Sequence, residues 1–306
     1  MLQRLVEMLE YTSVLDKAAA CSDCYERMAY VAAFSISAYS STASRVLKPF
    51  NPLLGETYEC DRITDLGWRA ITEQVVHHPP VTAIHCESNA GWILSCDLTV
   101  QSKFRGKYLQ ITPIGTIHLL FRDGSCYTYN QVTTTVNNII LGKLWLDQMV
   151  EDDAGNVRWT VTGKWDSRVE LKKGIEGDEE TMIGWERRPL ASGSEKYYNF
   201  GQFTCQLNEP EMGVSPMDSR LRPDLRLMEE GQWDKADQMK AALEEAQRFR
   251  KRARDIGDLP PHNPLWFASK PSALTGQLYW QYKGGYWEAK EKKDWSFCPD
   301  IFTPIE

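Results

Sequence analysis

Glu73-Gln74-Val75-Val76-His77-His78-Pro79-Pro80 places two of the chain's five histidines where a β-type run meets two prolines. Adjacent strand residues point to opposite faces, so both imidazoles can serve one ligand only where the strand stops. Pro79 and Pro80 stop it, because neither can donate to a ladder. Two imidazoles of ordinary pKa near ~6.5 suit a phosphate monoester, whose second pKa near ~6 lets each histidine donate a charge-assisted hydrogen bond at neutral pH. A metal site and an ordinary histidine pair at a strand end are the competing readings. Adjacent histidines chelate poorly alone, and His85 and His118 fall on other strand positions.

Upstream, Lys48-Pro49-Phe50-Asn51-Pro52-Leu53-Leu54-Gly55-Glu56 has two prolines three apart, which fix an extended path, and Gly55, which permits a tight bend. Lys48 and Asn51 are thereby presented by a rigid loop, the usual place for binding groups on a β-framework. Downstream, Lys240, Glu244 and Arg248 recur every four residues, within about 80° of arc on one helix. Taken alone this ridge reads as a solvated face. Arg248, Arg250, Lys251, Arg252 and Arg254 form the one dense basic cluster, able to touch anionic headgroups locally.

Around these strings the periodicity changes twice. Leu2, Leu5, Val6 and Leu9, then Cys24, Met28, Val31, Phe34 and Ile36, predict helices that end near Ser41. After Lys48 the period becomes two. Trp92, Leu94, Cys96, Leu98 and Val100 share one face, and the alternation returns at Ile117–Phe121, Tyr127–Tyr129, Val157–Trp165, and at Tyr197, Phe203, Cys205 and Leu207. Asp123-Gly124 and Ala154-Gly155-Asn156 separate neighbours as hairpin turns. Many short strands with one apolar face predict a sandwich or barrel. Residues 220–255 turn helical again, and a tail with Trp266, Trp280, Trp287 and Trp295 is expected to finish in short strands.

Composition is ordinary for a folded protein, with 42% hydrophobic and 25% charged residues, apart from 11 tryptophans. A net charge of −7 repels nucleic acid at long range. No apolar run reaches the ~18 residues that span a bilayer, and the first residues form an amphipathic helix instead of a signal peptide. A soluble, cytoplasmic chain is expected. The eight scattered cysteines lack the density of a disulfide framework, and Cys21 and Cys24 lack the partners of a metal site. Nothing resembles a nucleophile elbow, a phosphate-binding glycine loop or a metalloprotease helix, so no catalytic residue, cofactor or metal is expected.

In this order the three strings resemble the lipid-binding domain of the oxysterol-binding protein family. The family's run of glutamate, glutamine, valine, serine, two histidines and two prolines stands here from Glu73 to Pro80, with Val76 for the serine. Lys48 to Glu56 matches its proline-rich loop, and Asp218 to Asp224 with Lys240, Glu244 and Arg248 matches its later helical segment. The likeness extends from Met1 to Phe302.

The resemblance implies an incomplete, mostly antiparallel β-barrel around an apolar lipid tunnel, with N-terminal helices and a C-terminal helical and mixed subdomain. It implies one domain over residues 1–306, divided into a helical part (1–45), the barrel (46–210) and the C-terminal subdomain (211–306). It further implies binding and exchange of phosphatidylinositol 4-phosphate or a sterol between membranes such as the endoplasmic reticulum and Golgi, with transient contact to anionic membranes. Lys48, Asn51, His77, His78, Lys240 and Arg248 would surround the headgroup, and Glu244 would orient its basic neighbours. Two departures are expected. The family's N-terminal lid is missing, which weakens the case for sterol, and part of the barrel near residues 147–157 is missing. A lipid-regulated scaffold, a truncated product that does not transfer lipid, and a phosphatase or lipase using His77 and His78 are the alternatives.

Overall fold

The computed structural model describes residues 1–42, 50–104, 106, 108–137, 145–174 and 180–305. Lys48, and most of the stretch from Gly142 that leads into Trp145, lie outside them. The chain opens with three helices, α1 (Leu2–Val6), α2 (Ser13–Ala20) and α3 (Cys24–Ser37), followed by a single tight turn at Ser40–Thr42. Asp23 starts α3 by accepting from the Tyr25 and Glu26 amides at 2.8 and 3.4 Å, satisfying donors that have no partner within the helix. The side chain of Arg27 closes the α2–α3 corner, donating to the carbonyls of Ala18 (3.1 Å) and Cys21 (2.7 Å) and to Asp123 (2.6 Å) in a hairpin turn.

The large sheet contains β1 (Thr57–Arg62), β2 (Trp68–Val76), β3 (Val81–Ser88), β4 (Trp92–Phe104), β5 (Tyr108–Ile114), β6 (Thr116–Phe121), β7 (Cys126–Asn130) and β8 (Thr134–Asn137). Its path is β1-β2-β3-β4-β5-β8, with β6 also paired to β4 and β7 to β6. Strands β5 and β6 are one return path along β4, bent at Gly115: Ile114 faces Thr99, whereas His118 faces Ser95. A Cβ at Gly115 would lie 2.0 Å from the Asp97 carbonyl oxygen, so only glycine allows this bend. The predicted strand through Trp92, Leu94, Cys96 and Leu98 is β4, with those four side chains buried.

A second antiparallel sheet runs β12-β11-β10-β9, from β9 (Trp145–Glu151), β10 (Val157–Lys164), β11 (Arg168–Lys173) and β12 (Glu180–Glu186). The two sheets do not close on one another among the described residues. One continuous core joins α1–α3 to both sheets through Leu9, Phe34, Trp68, Trp92, Trp159 and Leu171. Helix α3 crosses β12 at Gly184, where a Cβ would stand 3.2 Å from the Ala33 Cβ and 2.8 Å from Leu171.

The expected strand at Tyr197–Leu207 is not one. Helix α4 (Gln202–Gln206) occupies it after a single 3₁₀ turn at Ser194–Tyr197, and Tyr198 and Asn199 sit in the left-handed region at φ 58° and 55°. That reversal breaks the extended path, and the apolar residues Phe203 and Leu207 are a helical pair four apart. The C-terminal part holds α5 (Pro223–Glu229), α6 (Trp233–Asp255), the hairpin β13 (Phe267–Pro271) and β14 (Leu278–Tyr282), and α7 (Tyr286–Lys292). The expected strands of the tail are therefore only partly formed, since Trp287 lies in α7.

This part is fastened to the large sheet by buried carboxylates. Glu73 of β2 accepts from the amides of Leu265 (2.8 Å) and Trp266 (2.9 Å), and Glu59 of β1 accepts from Tyr286 and Lys290 of α7. The Thr57 amide donates to the Met217 carbonyl at 2.9 Å, laying residues 217–220 along the edge of β1.

Gly184→Val is expected to destabilise the protein by about 1–3 kcal/mol in urea unfolding through overpacking between α3 and β12. A neutral result would show that α3 does not sit this close. Burial pushes the Glu73 carboxyl up to about 7 from 4.5, so folding binds its proton and the stabilisation from this group is lost as pH rises through that interval. The stability of wild type relative to Glu73→Gln should therefore be greatest near pH 4.5 and fall towards pH 7 by something on the order of 3 kcal/mol. A difference that grows with pH would refute this.

Candidate functional site

The fingerprint string builds the turn that displays its own histidines. Gln74 spans the base of that turn, donating to the Val76 carbonyl at 2.8 Å and accepting from the Thr82 hydroxyl at 2.6 Å. Strand β2 ends at Val76, opposite Val81, and His77 to Pro80 form the connection, with a cis peptide bond between His78 and Pro79. Released from the pleat, the two imidazoles lie side by side, with ring centroids 4.4 Å apart. The expectation that the strand stops at the prolines is met.

The Phe50–Glu56 loop docks beside this turn. The Gly55 amide donates to the Gln74 carbonyl (2.9 Å) and the Gln74 amide to the Glu56 carbonyl (2.8 Å). Gly55 makes the bend at φ +83°. The side chain of Glu56 is buried inside the loop, accepting from the Leu53 amide (2.8 Å), the Ser219 hydroxyl (2.6 Å) and Arg222 (3.0 Å). Arg222 also donates to the Asn51 carbonyl (2.8 Å) and grips Asp224 through two bonds. Asn51 is therefore fixed by its backbone while the residue itself stays exposed.

Helix α6 supplies the third side of the site. Glu244 stands between Lys240 (3.2 Å) and Arg248 (3.3 Å), the ridge expected from the spacing. The Lys240 ammonium lies 5.5 Å from the Phe50 ring centroid, within cation–π range, which ties the ridge to the loop. Arg248 is more loosely placed, its side chain 58% exposed and shared between Glu244 and Glu245. Much of the basic cluster beyond it is engaged locally, Arg252 with Glu245, Lys251 with Asp255, and Arg250 with the Thr303 carbonyl.

Gln247, which sequence reasoning passed over, connects all three elements. Its Oε1 accepts from the Leu54 amide at 2.7 Å and its Nε2 lies 2.8 Å from His77 Nε2. The signal was present, since residue 247 falls three after Glu244 and seven after Lys240, on the same helical face. Burial, with His78 adding to it and Glu244 opposing, holds the His77 imidazole below its ordinary pKa. The shift favours the uncharged imidazole, which can still donate one N–H to an ionised phosphate.

His85 and His118 sit elsewhere. His85 stacks on Tyr282 and meets the Ser95 hydroxyl at 2.9 Å, while His118 stacks on Tyr279. No group of three His, Cys, Asp or Glu side chains among the described residues could hold a metal ion. Loop, turn and ridge together bring neutral and cationic donors to one side of the molecule, with the Glu244 and Glu245 carboxylates among the cations.

Comparison with known proteins places the fold in a family. A family model described as oxysterol-binding protein matches residues 1–151 and 148–291. Oxysterol-binding protein 2 of Mus musculus is 42% identical over 99% of this chain, and oxysterol-binding protein-related protein 1C of Arabidopsis thaliana is 36% identical over all of it. The chain spans only 40% and 42% of the length of those two relatives. Among solved structures, the Osh1 ORD domain in complex with cholesterol superposes with a TM-score of 0.88 at 31% identity, covering 99% of this chain and 84% of that one. The Osh3 ORD from Saccharomyces cerevisiae in complex with PI(4)P gives 0.79 at 33% identity, covering 98% and 87%. The histidine-bearing turn, the proline-rich loop and the α6 ridge thus stand on a shared architecture, and the chain belongs to the oxysterol-binding protein family.

Proposed function

We propose that this chain binds one lipid at a time, either phosphatidylinositol 4-phosphate or a sterol, and exchanges such lipids between membranes from the cytoplasm. The observation that supports this reading is that α6 is tied both to the His77–His78 turn, through Gln247, and to the loop that carries Asn51, through Gln247 with Leu54 and Lys240 with Phe50. A phosphomonoester on a sugar ring needs several donors arriving from different elements, together with polar groups for its hydroxyls. Solved relatives in complex with PI(4)P and with cholesterol support the two ligand classes. Lys240 gives the phosphate a charge partner, Asn51, His77 and His78 offer polar contacts, and Glu244 orients Lys240 and Arg248. Lys48, outside the described residues, joins the set through the family's loop. No helix among the described residues is long and apolar enough to cross a membrane, which suits a protein that works at membrane surfaces. The reading is of binding and carriage, with no catalytic step.

A lipid-regulated scaffold is the second reading, and one observation favours it. The two matched stretches of the family model meet at residues 148–151, inside β9 and its turn, and β9 forms one edge of its sheet. The alignment to oxysterol-binding protein 2 runs over 362 residues, longer than this chain. Relatives with additional chain at this join would cover an apolar lipid better, at about 25 cal/mol for each Å² removed from water. A chain lacking it would hold lipid less tightly in transit.

The deciding experiment is extraction of labelled phosphatidylinositol 4-phosphate from liposomes, followed by its delivery to acceptor liposomes. Wild type should extract and deliver, and the His77→Ala/His78→Ala double variant should lose extraction while any sterol binding persists. Lys240→Ala should reduce extraction by at least about tenfold, the scale of one desolvated charge-assisted bond. Extraction without delivery would favour the scaffold, and parallel loss of sterol binding would count against a headgroup role for these residues.

A further inference from the structure

The orientation of the Gln247 amide follows from the chemistry of its partners. A backbone N–H can only donate, so the atom 2.7 Å from the Leu54 nitrogen is the amide oxygen. The other end is then an NH₂ group, which can only donate, and it lies 2.8 Å from His77 Nε2. His77 Nε2 must therefore be the bare, accepting nitrogen, and the neutral ring carries its proton on Nδ1. That Nδ1 is buried and has no hydrogen-bond partner among the described residues.

We propose that Gln247 is a positioning residue of the lipid headgroup site, locking His77 as the neutral Nδ1–H tautomer and keeping that N–H unspent for the bound phosphoinositide. The inference rests on the lipid-binding reading above and adds a regulatory element to it. One side chain on α6 sets the tautomer in the β2–β3 turn and, through Leu54, holds the loop that presents Asn51. A ligand oxygen entering the site meets a donor already desolvated and oriented, which lowers the cost of ordering on binding. Protonation of Nε2 would set two donors against each other at 2.8 Å and release the tie, so His77 serves as an uncharged reader while Lys240 meets the phosphate charge.

The test begins without any ligand. A long-range ¹H–¹⁵N correlation spectrum of the whole chain labelled with ¹⁵N-histidine, near about pH 7.5, should show His77 with a protonated Nδ1 and a bare Nε2, assigned by comparison with His77→Asn. Gln247→Glu keeps an acceptor for the Leu54 amide but cannot donate to the imidazole, so the proton should appear on Nε2. A wild-type ring protonated on Nε2, or a pattern unchanged in Gln247→Glu, overturns the proposal.

A second arm uses phosphatidylcholine vesicles doped with labelled phosphatidylinositol 4-phosphate. Gln247→Met should weaken extraction by about tenfold, and by less when His77→Ala is already present, the remainder coming from the lost Leu54 tie; an undiminished loss in the His77→Ala background would show that Gln247 does not act through His77 and overturn the positioning role. If wild type extracts no phosphoinositide while the tautomer is as stated, the lipid reading falls and the lock between Gln247 and His77 stands, which separates the two failures.

Discussion

Arg222 is the pin on which the site hangs. Its guanidinium is 1% exposed and lies between the carboxylates of Glu56 and Asp224, themselves 2% and 0% exposed. A buried charge survives only when fully paired, and removing one partner of such a set typically costs about 3–5 kcal/mol. Here the pairing does more than neutralise. Through Glu56 it reaches the Leu53 amide and the Ser219 hydroxyl, and through its own Nη1 the Asn51 carbonyl. The proline-rich loop, the edge of β1 and the start of α5 are thereby one rigid corner. The Leu54 amide stands at a fixed place only because that corner does.

From this corner the remaining parts of the site are arranged by donors and acceptors that have no alternative partners. Glu73 and Gln74, the first two residues of the fingerprint, touch no ligand in this reading. Glu73 fastens the C-terminal subdomain to β2, and Gln74 shapes the turn. The string is thus half scaffold and half site. Its polar character is explained by backbone amides, a backbone carbonyl and a hydroxyl that would otherwise be buried without these partners.

Much of the fold was legible in the sequence because its signals are local. Period-two runs became β4, β6, β7 and β10, and the glycine turns became hairpins. The ridge of Lys240, Glu244 and Arg248 formed where a four-residue spacing puts it. The failures are also physical. Phe203, Cys205 and Leu207 fit alternation as well as helical spacing, and the left-handed pair at Tyr198 and Asn199 that settles the matter is carried by residues without glycine's usual signature. The joint burial of Arg222, Glu56 and Asp224 has no local signature, because nothing in a single sequence says which ions will be buried together. Gln247 was obscured by the charged residues around it, although its register was right.

The site is assembled from distant chain. Gln247 and His77 are 170 residues apart, and Gln247 and Leu54 are 193 apart. Contacts of such separation form late, since loop-closure entropy opposes them until neighbouring structure is in place. On a ribosome the N-terminal helices and most of the large sheet emerge long before α6 is synthesised, so the histidine turn exists for a time without the helix that completes it. The turn, the loop and the ridge come together only once α6 has folded back onto the earlier chain, so the assembled corner is a late product of folding.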